Sequence, residues 1–233
     1  DENANQFPTT NQGFIQLRNG ATIQNAEKAI FAECGAIVRA TDGIFINNIY
    51  DVWYSPHSDP SVIYPLSNSC YFTGCQFKTD GQLNDITKYP VMHVRIQRVS
   101  GVKFTNCHFS NNRQWTLPGE SGPLYANYKG IGIHAIDADF KVIPGCGTIQ
   151  QYGVPCPSPL RNTFEGLYYG IKSIATNSSS TITIQQCDFN NNYRGVLLEN
   201  LNNSTVFSNT FDSDYTGEGT NLYQMYPTPY GNS

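Results

Sequence analysis

One short motif recurs along the chain: an apolar residue, two mostly polar residues, Cys, a polar residue and Phe. It reads "YFTGCQFKTD" at residues 71–80, "VKFTNCHFSNN" at 102–112 and "TITIQQCDFNNN" at 181–192. A Phe in this position recurs at intervals of 32, 32, 31, 24, 25 and 22 residues, at Phe45, Phe77, Phe109, Phe140, Phe164, Phe189 and Phe211. Self-similarity at such a period is the sequence signature of a repeat architecture.

The alternation of side chains identifies the kind of repeat. The residue two positions before each Phe is small or compact, and the residue five positions before it is apolar. Positions −2 and 0 share one face of a strand, whereas position −5 has the opposite parity. Both can face a core only if the chain bends sharply between them. The pattern therefore predicts an all-β fold, a right-handed parallel β-helix of roughly eight coils, and not a helical solenoid, which needs i, i+3, i+4 spacing.

The boundaries of this β-helix follow from the extent of the motif. It is predicted to occupy residues 20–216. Residues 1–19 are interpreted as a lead-in or as the continuation of an earlier coil, and residues 217–233 as a loop or spacer within a longer chain. Neither end shows an amphipathic capping helix, so we expect further domains of the same chain, or end-to-end association, at the open coils.

The seven Cys residues are predicted to have two different roles. Three of them lie two residues before a motif Phe: Cys75, Cys107 and Cys187. These three are expected to be buried thiols that stack as small apolar groups, with disulfides between adjacent coils as the alternative. Cys146 and Cys156 lie in a Gly/Pro-rich excursion and are expected to close it as a disulfide, with a reduced pair as the alternative. No redox state is predicted for Cys34 or Cys70.

Composition excludes several classes of function. Charged residues make up only 14% of the chain and the net charge is −4, so there is no electrostatic reason to expect nucleic acid as a partner. No run of about 18 apolar residues is present, so no membrane-spanning helix is predicted. The four His residues have no zinc-like spacing with Cys, and no cofactor is expected.

Several strings resemble one known family. These are "NAEKAIFAECGAIVRATDGIFINN", "YFTGCQFKTD", "GIGIHAIDADFKV", "LYYGI" and "NNYRGVLLEN". Together they are similar to large, secreted, Asn-rich proteins of the Bacteroidetes, right-handed parallel β-helix repeat proteins with a pectin-lyase-like fold. The resemblance covers about residues 20–212. It implies a secreted or cell-surface location and export by the type IX secretion system, and it carries no catalytic role for these positions.

The strongest candidate for catalysis is the string "GIHAIDADF". Asp137 and Asp139 are two residues apart, and on an extended strand their carboxylates would share a face at roughly 7 Å. His134 lies nearby, and neighbouring coils could contribute Arg95 and Lys172. Such a cluster would suit a polysaccharide lyase or glycoside hydrolase acting on an acidic polysaccharide. Ca²⁺ would be needed only by the lyase.

The preferred prediction is a non-enzymatic extracellular segment of a larger secreted or cell-surface protein. It would act as a rigid spacer or as an adhesive surface that contacts polysaccharide. This follows from a regular repeat without a converging set of ionisable residues. Tyr168, Tyr169, Tyr125 and Tyr128 are expected either to stack on sugars or to pack surface loops.

Overall fold

The computed structural model describes most of the chain. The described residues are 13–33, 36–55, 66–67, 69–81, 83–85, 87–113, 126–147, 156–176, 180–212 and 222–225. Within them the chain makes seven turns of a parallel β-helix, and we call each turn a rung. Every rung contributes one strand to each of three parallel sheets, except that the third rung contributes two short strands to the first sheet. The sheets are numbered 1 to 3 in the order in which a rung passes through them.

The strands are numbered β1 to β24 in chain order. Sheet 1 contains β1 (Phe14–Leu17), β4 (Ile37–Thr41), β7 (Leu66–Ser67), β8 (Tyr71–Thr73), β11 (Val99–Thr105), β14 (Asp139–Ile143), β19 (Thr181–Gln185) and β22 (Asn203–Phe207). Sheet 2 contains β2 (Thr22–Gln24), β5 (Ile44–Ile46), β9 (Gln76–Thr79), β12 (His108–Asn111), β17 (Asn162–Glu165), β20 (Cys187–Asn190) and β23 (Thr210–Asp212). Sheet 3 contains β3 (Lys28–Ala32), β6 (Tyr50–Tyr54), β10 (Met92–Gln97), β13 (Ile131–Ile136), β18 (Tyr169–Ile174), β21 (Arg194–Glu199) and β24 (Leu222–Met225).

Two short elements lie outside the three sheets. An antiparallel pair of strands, β15 (Gly145–Cys146) and β16 (Pro159–Leu160), forms at the base of an excursion closed by a disulfide between Cys146 and Cys156. A 3-10 helix, η1 (Ala126–Lys129), precedes β13. In the part of the chain that the structure describes, no helix is long and apolar enough to cross a membrane.

The corners between sheets explain why the apolar residues of the motif all face the interior. Between sheets 1 and 2 a residue three positions before the motif Phe has positive φ, for example Asp42, Gly74 and Asn106. Asn, Asp and Gly are the residues that adopt this left-handed conformation most readily. The corner reverses the parity of the chain, so the apolar residues at positions −5 and 0 both face the interior. The bend predicted from the sequence is confirmed.

The motif Phe residues form a column inside the solenoid. The rings of Phe45, Phe77, Phe109, Phe164, Phe189 and Phe211 stack in that order, with centroids 4.6–4.9 Å apart and planes within 11° of parallel. Offset stacks of this kind add about 0.5–1.5 kcal/mol per pair beyond burial. Cys75, Cys107 and Cys187 are buried free thiols at the corner before this column. Cys70 is also a buried free thiol, and Cys34 lies outside the described residues.

The placement of Phe140 in this column is wrong. Phe140 is buried, but it lies in sheet 1, where its register partners are Val102 and Ile182. Phe109 instead pairs with Phe164, so the intervals of 31 and 24 residues belong to one long rung with inserted loops. One predicted coil therefore disappears, which is why the described chain has seven rungs and not eight.

Strands of the solenoid lie outside residues 20–216 at both ends, and the one before residue 20 corresponds to the earlier coil that was one of the two interpretations of residues 1–19. β1 pairs in register with β4 from Phe14 onward, so the first rung begins before residue 20. At the other end, β24 pairs with β21, so sheet 3 continues beyond residue 216. Residues 1–19 and 217–233 therefore each contribute a strand to the solenoid.

Buried asparagines connect successive rungs. Asn162 accepts a hydrogen bond from the backbone N–H of Cys107 at 2.8 Å and donates one to the carbonyl of Ile143 at 2.8 Å. Asn192 makes the same pair of bonds with Leu167 and Phe164. A side-chain amide that satisfies one donor and one acceptor removes the desolvation cost of both buried backbone groups.

Candidate ligand-binding groove

The two candidate carboxylates do not share a strand face. Asp137 has φ 49° and forms the corner between sheets 3 and 1. Its carboxylate accepts hydrogen bonds from the backbone N–H and the hydroxyl of Thr176, each at 2.6 Å. Asp139 begins β14 beyond the corner and accepts the N–H of Thr181 at 2.5 Å. The prediction of a shared face is wrong because it assumed an extended backbone at Asp137, and both carboxylates bond neighbouring backbone.

Arg95, His134 and Lys172 do come together, on the outer face of sheet 3. They are register partners on three successive rungs, and we call them the basic row. None of the ion pairs between described residues involves the basic row. Burial, Lys172 and Arg95 lower the pKa of His134 to about 4, so its ring is neutral at neutral pH. The described residues contain no group of three His, Cys, Asp or Glu side chains that could hold a metal ion.

Beside the basic row lies a groove of about 390 Å³ between two walls of Tyr rings. One wall is Tyr89 stacked on Tyr128, with ring centroids 4.4 Å apart and planes 1° from parallel. The other wall contains Tyr168 and Tyr169, 4.4 Å apart, and is extended by Tyr193, which stacks on Tyr168 at 4.9 Å. We call this the tyrosine groove. Its remaining lining residues are Pro90, Val91, Ile131 and Lys172.

Backbone hydrogen bonds between three rungs hold the two walls in place. The N–H of Ile131 donates to the carbonyl of Val91 at 3.1 Å, and the N–H of Tyr168 donates to Gly130 at 2.9 Å. Gly130 has φ 74°, and a Cβ there would lie 3.1 Å from the carbonyl oxygen of Pro90. Glycine at this position therefore lets the two loops approach closely. Backbone bonds between rungs restrict the motion of both loops, and a rigid groove lowers the entropic cost of binding.

The first wall is supported from below by a buried cation. Arg113 is 2% exposed, and its guanidinium lies 4.3 Å from the centroid of the Tyr89 ring. The amide of Asn111 donates to the carbonyl of Lys129 at 2.6 Å, which ties the end of β12 to the segment that carries Tyr128. The guanidinium over the Tyr89 ring and the stacking of Tyr128 on the same ring fix the orientation of both Tyr side chains.

The second wall carries positive charge at its edge. Arg194 donates a hydrogen bond to the hydroxyl of Tyr169 at 3.3 Å, and its guanidinium lies 5.7 Å from the ring centroid. The ammonium of Lys172 lies 5.5 Å from the same centroid. Burial first, then Tyr168, raises the pKa of Tyr169, so its hydroxyl stays protonated. The wall thus presents flat aromatic surface with cations beside it.

A second aromatic and cationic cluster lies on the same face, on β3, β6 and β10. The ring of Trp53 has the Arg95 guanidinium 4.5 Å from its centroid and the Lys28 ammonium also at 4.5 Å. Phe31 meets Trp53 edge-on at 6.1 Å. Trp53 and Arg95 are register partners, so this cluster continues directly into the basic row.

The interior of sheet 3 contains a polar network that is closed to solvent. His93 Nδ1 lies 2.6 Å from Asp51 Oδ2, and His93 Nε2 lies 3.2 Å from the carbonyl oxygen of Ser110. Asn48 donates to Asp51 Oδ1 at 2.8 Å and to the carbonyl of Ile23 at 3.1 Å. A carbonyl oxygen only accepts, so Nε2 carries a hydrogen and one further proton bridges Nδ1 and Oδ2. Burial raises the pKa of Asp51.

Sequence reasoning identified only part of the groove. Tyr128, Tyr168 and Tyr169 were candidates for sugar stacking, whereas Tyr89 and Tyr193 were not singled out; Tyr125 lies outside the described residues. Tyr193 was detectable, because it lies four residues after a motif Phe, as Tyr168 does. Tyr89 had no such signal, because an inserted loop positions it.

No family model matches this chain, and no curated protein or solved structure shows significant similarity to it. A function for the chain therefore has to follow from the chemistry of its own surfaces. Among these, the outer face of sheet 3 combines a groove, aromatic walls and the cations of the basic row.

Proposed function

We propose that the chain is a non-enzymatic β-helix segment of a larger secreted or cell-surface protein, and that it contacts polysaccharide through the tyrosine groove. The observation that carries this proposal is a groove lined by two pairs of Tyr rings, Tyr89 with Tyr128 and Tyr168 with Tyr169, and by the apolar side chains of Val91 and Ile131. Sugar rings have apolar C–H faces and polar edges. Aromatic rings attract the apolar C–H faces. Tyr hydroxyls and cations at the edge of the groove bond the polar edges.

The solenoid supports a second part of the proposal, the role of a rigid spacer. Seven rungs at about 4.8 Å each make a rod roughly 30 Å long. Ladder hydrogen bonds connect every rung to the next in all three sheets. A sugar held on one face of such a rod is held at a fixed distance from whatever the ends adjoin.

The extracellular location is part of the proposal too. The disulfide between Cys146 and Cys156 supports it, because disulfides persist mainly in oxidising compartments. Export by the type IX system, as in the Bacteroidetes proteins that the repeats resemble, is proposed on that resemblance alone.

The alternative, a polysaccharide lyase or glycoside hydrolase, receives no support from the described residues. Such enzymes need carboxylates that converge on the scissile bond or on a metal ion. Asp137 and Asp139 bond the backbone of neighbouring rungs, at Thr176 and Thr181. The cations of the basic row have no described carboxylate partner to work with.

Replacing Tyr128 and Tyr168 together with Ala should weaken polysaccharide binding by about fivefold to a hundredfold. One ring is removed from each wall, and aromatic contacts contribute about 0.5–1.5 kcal/mol each. Affinity electrophoresis in gels that contain polygalacturonate, dextran sulfate or dextran measures the effect. The control is Tyr71→Ala, a half-buried Tyr of sheet 1, which should leave retardation unchanged.

The outcomes of this experiment separate the two hypotheses. Failure of the wild-type chain to bind any of the three polymers, or equal binding by the double variant, would contradict the groove. Recovery of shortened polymer after incubation with the wild-type chain would support the enzymatic alternative. Binding with unchanged polymer length supports the proposal.

A further inference from the structure

We propose that the ligand of the tyrosine groove is an anionic polysaccharide that lies along the stack of rungs, with its acidic groups on the basic row. This inference rests on the proposed function, because it specifies the ligand of the same surface. Carboxylate and sulfate groups share the required chemistry, a compact anion with several acceptor oxygens.

The distribution of charge is the first argument. The chain has a net charge of −4, yet the strands of sheet 3 carry Lys28, Arg95, Lys172 and Arg194. The carboxylates on these strands are Asp51, which points into the core and bonds His93, and Glu199 at the end of β21. A positive face on a negative protein attracts anions selectively and repels them elsewhere.

An unmatched donor in the middle of the basic row is the second argument. Both ring nitrogens of His134 are shielded from water and have no hydrogen-bond partner in the described part of the chain. A neutral imidazole carries one N–H, so one donor is left without an acceptor. Buried polar groups are normally satisfied, and an orphan of this kind indicates a missing partner. Arg95 and Lys172 flank the ring and are long enough to turn toward an incoming acceptor.

The direction of the row is the third argument. Arg95 and Lys172 are two rungs apart, about 10 Å along the stack. Trp53 lies one rung before Arg95, and the Tyr169 wall lies beside Lys172. Aromatic surface therefore lies at both ends of the basic row, and the whole arrangement from Trp53 to Lys172 is about 14 Å long. An extended polymer with an acidic group on successive units fits this arrangement, whereas a single sugar reaches only one end.

Three probes test the inference by their relative affinities: polygalacturonate for carboxylates, dextran sulfate for sulfates and dextran as the neutral polymer. The acidic polymers should bind at least tenfold more tightly than dextran at low salt, and raising NaCl fourfold should weaken them alone. Lys172→Met and Arg95→Met keep the aliphatic stem and should each weaken acidic polymers about tenfold, since charge-assisted hydrogen bonds are lost. The matched control is Lys141→Met, which removes the same charge from sheet 1.

Each outcome decides a separate point. Tighter binding of either acidic polymer, with dependence on Lys172, supports the inference and identifies the anion. Equal, Tyr128-dependent binding of dextran overturns the inference and leaves the proposed function intact. Equal losses for Lys141→Met and Lys172→Met overturn it too, because the effect would then reflect overall charge. If the wild-type chain binds none of the probes, the proposed function itself fails.

Discussion

Replacing Asp51 with Ala should lower the free energy of unfolding by about 3–5 kcal/mol, the usual cost of removing one partner from a buried charged pair. Asp51 and His93 are 1% and 5% exposed. The substitution leaves His93 Nδ1 and the amide of Asn48 without their partner at the centre of the stack. Urea unfolding followed by circular dichroism measures the change as a lower midpoint.

Asp51→Asn is the matched control, because it keeps the shape and satisfies every neighbour. Its oxygen can accept from Asn48, and its amide can donate to His93 Nδ1 while Nε2–H still donates to Ser110. We expect a stability within about 1 kcal/mol of the wild type near pH 4. If Asp51→Ala were as stable as this variant, the network would contribute nothing beyond filling space.

The same pair of proteins gives a pH dependence with a definite sign. Burial raises the pKa of Asp51 above its ordinary value. The stability that a group with a raised pKa contributes is fully present below its unfolded pKa of about 4, and it is lost as the pH rises through the folded pKa. Asp51→Asn lacks this loss. The free energy of unfolding of Asp51→Asn should therefore increase relative to that of the wild type between pH 4 and pH 8. A constant difference between the two proteins would contradict a raised pKa of Asp51.

Replacing Gly170 with Ala should cost about 3 kcal/mol, at the upper end of the range for overpacked cores. A Cβ at Gly170 would lie 2.6 Å from the carbonyl oxygen of Gly195 and 2.8 Å from the ring of Phe189. The carbonyl belongs to the neighbouring strand of the ladder and the ring belongs to the Phe column. Neither can move without disturbing the next rung, so the urea midpoint should fall sharply.

Gly43→Ala is the control for this substitution. Gly43 lies at an inner corner, and its nearest neighbour to an added Cβ is 3.6 Å away, an ordinary contact. We expect stability within about 1 kcal/mol of the wild type, or slightly higher, because Ala restricts the unfolded chain. Equal effects at the two glycines would mean that the close approach at Gly170 does not exist in solution.

These two sites are related by the repeat. Asp51, His93, Gly132, Gly170 and Gly195 occupy the same place on successive strands of sheet 3, as the flanking register pairs show. In the early rungs the polar pair fills the space beside the Phe column. In the later rungs glycine has no side chain to fill that space, and the rings of Phe164 and Phe189 lie there instead. The Gly six residues after Phe164 and Phe189 was visible in the sequence, but its role required knowledge of the neighbouring sheet.

The fold was predictable because the rungs repeat one pattern, a corner residue that readily adopts a left-handed conformation with an inward-facing apolar residue on each side of it. The misplaced Phe140 shows the limit of that reasoning. Asp137 lies three residues before Phe140 with positive φ, as Asn106 does before Phe109. A corner, a small residue and a buried Phe occur at more than one of the three corners of a rung. The local pattern alone therefore does not show which of the three sheets a given Phe belongs to. Regular spacing would show it, but long inserted loops make the spacing irregular.

The positions of the cations in the candidate site were easier to predict from the sequence than the positions of the Tyr residues in its walls. Arg95, His134 and Lys172 follow the strand pattern of sheet 3, so a correct coil assignment places them in register. The corner at Asp137 is not visible in the sequence, because a single left-handed residue does not interrupt the alternating pattern of a strand. Tyr89 could not be assigned, since its position depends on an inserted loop that packs on Arg113 and Tyr128.

The central claim is that the tyrosine groove is the surface that holds the sugar, and methyl NMR tests it most directly. The methyl signals of Ile131 and Val91, in the groove lining, should shift saturably on titration with the tightest-binding polymer among polygalacturonate, dextran sulfate and dextran. The signals of Leu160, which is 39% exposed on β16, should stay in place. Shifts at Leu160 with unchanged Ile131 and Val91 would contradict the account.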